Sequence, residues 1–371
     1  MRVDSRPAQY MERLSRLMVR AYCENGQRDS PAGREQLHLD LCYVATLTSV
    51  ELADFLALAD THHGVVRALT VLQHAATVAS DARIAEWCEG ALAAEQARID
   101  RAVAALQTIC QTLESRDCKA AVIKSLDHWP DLGSDLDLYT IADEHCIAQV
   151  MREEFNASAV ERSWGDRLAN KWNYSVPGLP ELVEIHIRFL GQTGEHAQMA
   201  RRVVECRVLK VVAGREFYVP APEERIVISA LQRVYRHFYF RLCDMIDFAS
   251  LLQSGSVRYD ELRRAADCAG IWPGVATFLV MIQSYVQSYG GLVSLPEDVV
   301  ASAGARSSRV RFKDGFLRVS KAAAAGLYSS QLLQAGLRHD MRALVRLPLL
   351  PPLAFSALVA HSLTGNDKGI W

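Results

Sequence analysis

The sequence predicts an α+β protein, a small mixed sheet flanked by an N-terminal and a C-terminal helical region. Apolar residues recur every three or four positions before residue 116 and again after Pro220. Between these stretches lie short β-leaning runs separated by Asp, Pro, Gly and Ser. Two of those runs sort their side chains into an apolar face and an ionisable face, as half-buried strands do. The expected divisions are residues 1–116, 117–219 and 220–371.

In the first region, Tyr10 to Tyr22 has helical spacing. Thr48-Ser49, with Glu51 just beyond, reads as a cap for Val50 onward. Ser80-Asp81 opens a long helix toward Glu114, in which Ile84, Ile99, Val103, Leu106 and Ile109 form a stripe. No repeat period is present. The pattern changes at Cys118. Ala120-Ala-Val-Ile is a strand, Asp127 to Ser134 a turn-rich loop, and Leu136 to Ile141 a second strand. A helix is expected over 143–155, then strands over 160–164, 171–176 and 182–190, with Pro177-Gly178 turning between the last two. Helices follow over 226–252, 259–268, 275–289 and onward to Leu363.

Half of the 371 residues are apolar and the formal net charge is −2, so no global charge points to nucleic acid or to an anionic membrane. The nine cysteines are scattered and never form Cys-x-x-Cys; neither a disulfide framework nor a zinc site reads from their spacing, and a reducing cytoplasm is the expected setting. The charged N-terminus lacks the apolar core of a secretory signal. No stable membrane span is expected, because Pro348, Pro351 and Pro352 interrupt the uncharged stretch near the C-terminus.

Asp135 and Asp137 point to one side of their strand while Leu136 and Leu138 point to the other. By the same rule Glu184, His186 and Arg188 share a face, opposite Val183, Ile185 and Ile187. Neighbouring carboxylates repel unless a cation neutralises them, and three oxygen donors suit Mg²⁺. Two such ions about 3.5–4 Å apart can activate an attacking hydroxyl and stabilise leaving pyrophosphate. Residues 201–241 hold nine Lys/Arg against four Asp/Glu. Arg233, Arg236, His237 and Arg241 recur there at helical spacing, as a basic wall for phosphates or as a solvated helix face. Gly133 is expected to relieve a tight turn.

The order Ile123-Lys124-Ser125, nine residues, Asp135-Leu136-Asp137-Leu138 and then Glu184 resembles the signature of the nucleotidyltransferase superfamily, whose fold is polymerase-β-like. The Lys in place of the first Gly, the Gly-Ser-Asp-Leu-Asp-Leu run and the acid-x-His strand resemble the uncharacterised bacterial nucleotidyltransferase family 5. Arg241-Leu-Cys-Asp244-Met-Ile-Asp247 resembles that family's helical region, and the likeness spans roughly residues 118–255. It implies Asp135, Asp137 and Glu184 as catalytic metal ligands for Mg²⁺ or Mn²⁺, with Glu184 also a base. It further implies Lys124, Ser125, Gly133, Ser134 and Arg241 around the nucleotide, and His186 and Arg188 as supporting groups. The implied reaction moves a nucleoside monophosphate from an NTP such as ATP to an acceptor that the sequence leaves open: a small molecule, a protein or a tRNA. The rival expectation is a catalytically inactive nucleotidyltransferase fold that binds nucleotide or a partner. Lys124 and Glu184 depart from the superfamily pattern, which has Gly and, more commonly, Asp there.

Overall fold

A computed structural model describes residues 6–24, 30–304 and 309–364. The chain starts with helices α1 (Arg6–Tyr22), α2 (Pro31–Thr46), α3 (Ser49–Thr61), α4 (Val65–Ala79) and α5 (Ala82–Ser115). A capping box starts α3: the Thr48 hydroxyl accepts from the Glu51 amide, and the Glu51 carboxylate accepts from the Thr48 amide at 2.9 Å. Asp81 caps α5 by accepting from the Ile84 amide.

The sheet comprises β1 (Ala120–Val122), β2 (Asp135–Thr140), β3 (Ser158–Ala159), β4 (Lys171–Ser175) and β5 (Leu182–Ile187), in the order β1-β2-β5-β4-β3. Only β2 and β5 run parallel, and their register sets Asp137 beside Glu184. Crossing from β2 to β5 are α6 (Glu144–Phe155) and α7 (Trp164–Ala169). The expected strand over 160–164 is not formed: β3 ends at Ala159, one further bond runs from the Val160 amide to Asn173 O at 2.8 Å, and Ser163 caps α7 in a box with Asp166. Expected strand 182–190 ends early, at Ile187, because Arg188 adopts φ +67°.

After α8 (Gln198–Glu205), a hairpin pairs β6 (Val208–Val212) with β7 (Arg215–Val219). Its turn residues Ala213 and Gly214 both have positive φ. The single helix expected over 226–252 is broken. Helix α9 (Pro222–Ala230) passes into a π-helical segment, Leu231–His237; Phe238 turns left-handed; β8 (Tyr239–Phe240) follows, and α10 (Leu242–Gln253) begins after it. Next come α11 (Tyr259–Cys268), α12 (Trp272–Ser288), α13 (Glu297–Ser302), β9 (Arg311–Lys313), β10 (Phe316–Arg318), α14 (Lys321–Leu337), α15 (Met341–Arg346) and α16 (Leu350–Thr364). Strands β8, β10 and β9 form a small sheet that the sequence did not predict. Pro351 and Pro352 lie in the first turn of α16, where a missing amide costs nothing, so they start a helix instead of interrupting one. Among the described residues no helix is long and apolar enough to cross a membrane.

Two large apolar cores organise the described residues, beside a small cluster of Ala335, Ala343 and Leu347. Leu14, Leu17 and Phe55 share one with Phe248, Phe278 and Ile282, so the first helices and the last ones pack together. The other joins Ile99, Val103, Leu106 and Ile109 of α5 to Leu136, Leu138, Val183 and Ile185 of the sheet. Burying those strand residues on one side leaves Asp135, Asp137 and Glu184 on the other.

Candidate active site

Asp135, Asp137 and Glu184 face a polar cavity of about 210 Å³. Asp137, Glu184 and His186 each bring a donor atom within 4.8 Å of the others, while Asp135 lies nearer solvent on the same strand face. Burial in the cleft, then the charges of Asp137 and Glu184, push the Asp135 carboxyl up from its ordinary value. Burial would raise Glu184 too, but Lys124, His186 and Lys171 outweigh it and hold that carboxyl well below the usual range.

Lys124 stands among these acids. Its ammonium pairs with Asp137 and lies 3.4 Å from Glu184 Oε1 and 3.4 Å from His186 Nε2. His186 Nε2 is 2.7 Å from Glu184 Oε1. The lysine reaches inward from a tight turn at the end of β1 (φ +60°, ψ −58°), closed by the Ser125 amide donating to Ile123 O at 2.6 Å. Such a backbone costs a non-glycine residue about 1–3 kcal/mol. On the far side of Glu184, Lys171 donates to Oε2 at 3.0 Å and pairs with Asp166 at 2.7 Å. Neither Lys171 nor Asp166 was singled out from sequence, although Lys171 Cα stands opposite His186 in the β4–β5 register.

Of the residues expected around a nucleotide, Ser125 is buried, and its hydroxyl is engaged: it donates to Asp135 O at 3.1 Å and accepts from the Asp137 amide at 2.8 Å. It thereby clamps the turn to β2. Gly133 has no positive φ; a Cβ there would lie 2.8 Å from His63 Cε1, so the glycine serves close approach to the His63 ring, which a side chain would displace. Ser134 is exposed at the cavity edge. Arg241 lines the cavity from the start of α10, with Nη1 3.3 Å from His63 Nδ1. Arg188 does not join the acidic face: past the strand end it points away and pairs with Asp143 at 3.0 Å, exposed.

The opposite wall carries Gln232, Arg233, Arg236 and His237 of the π segment, with Tyr239 and Arg241. Arg233 is buried and paired with Asp244 at 2.8 Å, whereas no ion pair involves Arg236 among the described residues. Burial, then the Arg236 charge, pushes the His237 imidazole well below its usual value, so it adds a neutral polar group. His63, from the turn between α3 and α4, also lines this space, and no signal in the sequence distinguished it. Through His63, Gly133, Ser134 and Arg241 the cavity continues into a groove of about 920 Å³ between the first helices and the core.

No protein-family model and no curated protein matches the chain. Solved structures with similar chains include an antigenic nucleotidyltransferase-like protein from Paracoccidioides brasiliensis, at 16% identity and a TM-score of 0.33, covering 53% of this chain and 95% of that one. Another is the antibiotic-resistance factor ANT(2'')-Ia, at 13% identity and a TM-score of 0.31, covering 42% and 86%. At these overlaps neither likeness assigns a function.

Proposed function

We propose that the chain is a nucleotidyltransferase that moves a nucleoside monophosphate from an NTP to an acceptor hydroxyl or phosphate. The acceptor oxygen attacks the α-phosphorus, the bond to the bridging oxygen breaks, and pyrophosphate leaves. The observation that carries this reading is a cavity with carboxylates of two parallel strands on one wall and arginines on the other. An all-acidic pocket would suit a cation alone, and an all-basic one an anion alone; facing walls suit a metal–triphosphate.

The donor set fits a hard divalent cation. Asp137 and Glu184, with His186 within 4.8 Å and Asp135 on the same strand face, would hold Mg²⁺ or Mn²⁺, which when bound neutralises phosphate charge and acidifies the acceptor hydroxyl. Glu184, kept anionic and fixed by His186 and Lys171, stays available as a metal ligand. Arg236 and Arg241 bind the triphosphate oxygens, and the neighbouring groove takes the acceptor or the base. The test is pyrophosphate release with each NTP, Mg²⁺ or Mn²⁺ and cell extract as acceptor source, in wild type and in the Asp135→Asn/Asp137→Asn double variant. Equal release from both would remove the proposal.

A second reading, nucleotide binding without turnover, draws on Lys124, whose ammonium already sits where a cation would bridge Asp137 and Glu184. Calorimetric titration with ATP, with and without Mg²⁺, beside the turnover assay separates the two. Heat without product selects this one.

A further inference from the structure

Behind the acidic centre, three residues distant in sequence converge. His63 lies in the turn between α3 and α4, His128 in the short turn after Lys124, and Cys243 in the first turn of α10. Each offers one donor atom within 4.8 Å of the other two. His128 Nε2 is 3.8 Å from Cys243 Sγ, and the two imidazoles meet edge to face at 5.4 Å between centroids. We propose that His63, His128 and Cys243 form a zinc-binding site that joins the first helices, the sheet core and the last helices.

Donor chemistry favours zinc. Two imidazoles and a thiolate form a borderline-soft set, unlike the oxygens of Asp135, Asp137 and Glu184, so the two centres take different metals. Tetrahedral zinc with bonds of about 2.0–2.1 Å to nitrogen and 2.3 Å to sulfur sets its donors roughly 3.3–3.7 Å apart, close to the 3.8 Å between His128 Nε2 and Cys243 Sγ, and binding draws His63 in. An outer shell is present. His128 Nδ1 is 2.7 Å from Asp247 Oδ2, the carboxylate–histidine arrangement that orients a metal-binding imidazole. Asp247 is held in turn by Arg67 at 2.6 Å, and Arg67 by Asp131 at 2.7 Å. Cys243 and His128 are buried, and both His63 and His128 line the cavity, so the site borders substrate space. Binding needs the Cys243 thiol and His128 Nε2 both deprotonated, and the two protons leave to solvent. His63 Nδ1 also contacts Arg241 at 3.3 Å, and an ion on that nitrogen displaces the guanidinium.

The proposal stands apart from nucleotidyl transfer, and its test reads metal, not activity. Full-length protein produced with zinc should contain one equivalent, and after exchange one equivalent of Co²⁺ should give a thiolate-to-cobalt charge-transfer band. Cys243→Ser should abolish the band. His63→Gln, at a half-buried position, should lower zinc affinity at least tenfold even if Cys243→Ser fails to fold. Asp135→Asn/Asp137→Asn should retain both band and zinc. A wild type with no cobalt–thiolate band, a band that persists in Cys243→Ser, or His63→Gln that binds zinc as wild type does would each overturn the site. Loss of the band in the double aspartate variant would place the ion in the acidic centre and overturn it as well.

Discussion

The two walls of the cavity are built on different principles. The acidic wall lies on adjacent parallel strands, and its charges are largely matched from within: Lys124 and Lys171 bracket Glu184, and Asp137 pairs with Lys124. The basic wall comes from a π segment, a left-handed residue and a helix start, where regular backbone hydrogen bonding is interrupted. There Arg233 is tied to Asp244, while Arg236 faces the cavity without an ion pair among the described residues. Strand geometry concentrates charges that must be neutralised; irregular helix holds one cation paired and leaves another for a ligand. Such departures from the α-helix often occur at functional sites.

If the acidic wall is the chemical centre, Asp135→Asn/Asp137→Asn should lower Mg²⁺-dependent pyrophosphate release by about 10³-fold or more, the scale of losing transition-state charge stabilisation. Circular dichroism should remain that of wild type. The basic wall should split into a structural and a ligand-binding part. Arg233→Ala strands buried Asp244 and should cost about 3 kcal/mol in denaturant unfolding. Arg236→Ala should leave stability within about 0.5 kcal/mol yet raise the NTP KM roughly tenfold. A stability loss as large as that of Arg233→Ala would erase the contrast.

Lys124→Met tests whether the acidic wall is self-neutralised. Removing the ammonium should tighten Mn²⁺ binding by titration about tenfold, equivalent to ~1.4 kcal/mol of competition, while turnover falls. Unchanged affinity would mean that Lys124 does not compete with the ion. The smallest effect is expected for Ser125→Ala, which removes two hydrogen bonds between the turn and β2 and should cost about 1 kcal/mol by thermal unfolding.

The facing of Asp135, Asp137 and Glu184 was legible because a strand alternates strictly and Leu136, Leu138, Val183 and Ile185 marked the buried side. Helix starts at Thr48 and Asp81 were legible because caps act within four residues. Ser163-Trp-Gly-Asp166 carried the same local signal, but the β-leaning residues before it suggested a strand over 160–164. Arg188 was misplaced because alternation predicts a face only while the strand continues, and its end depends on neighbours. The break after Ala230 left no local mark: Arg233, Arg236, His237 and Arg241 have helical spacing, yet Gly274 admits Tyr235 so closely that a Cβ there would lie 2.1 Å from its hydroxyl oxygen.

By itself, then, the sequence determined the α+β class, the helical flanks and the acidic strand face, all of which follow from periodicities of two and 3.6 residues. Tertiary structure alone decided that Lys124 reaches Glu184, that Lys171 supports it, that arginines from a broken helix close the cavity, and that His63, His128 and Cys243 meet. Those contacts link residues from 13 positions apart, for Lys171 and Glu184, to 180, for His63 and Cys243, and no short-range pattern encodes them; packing of the cores brings them together.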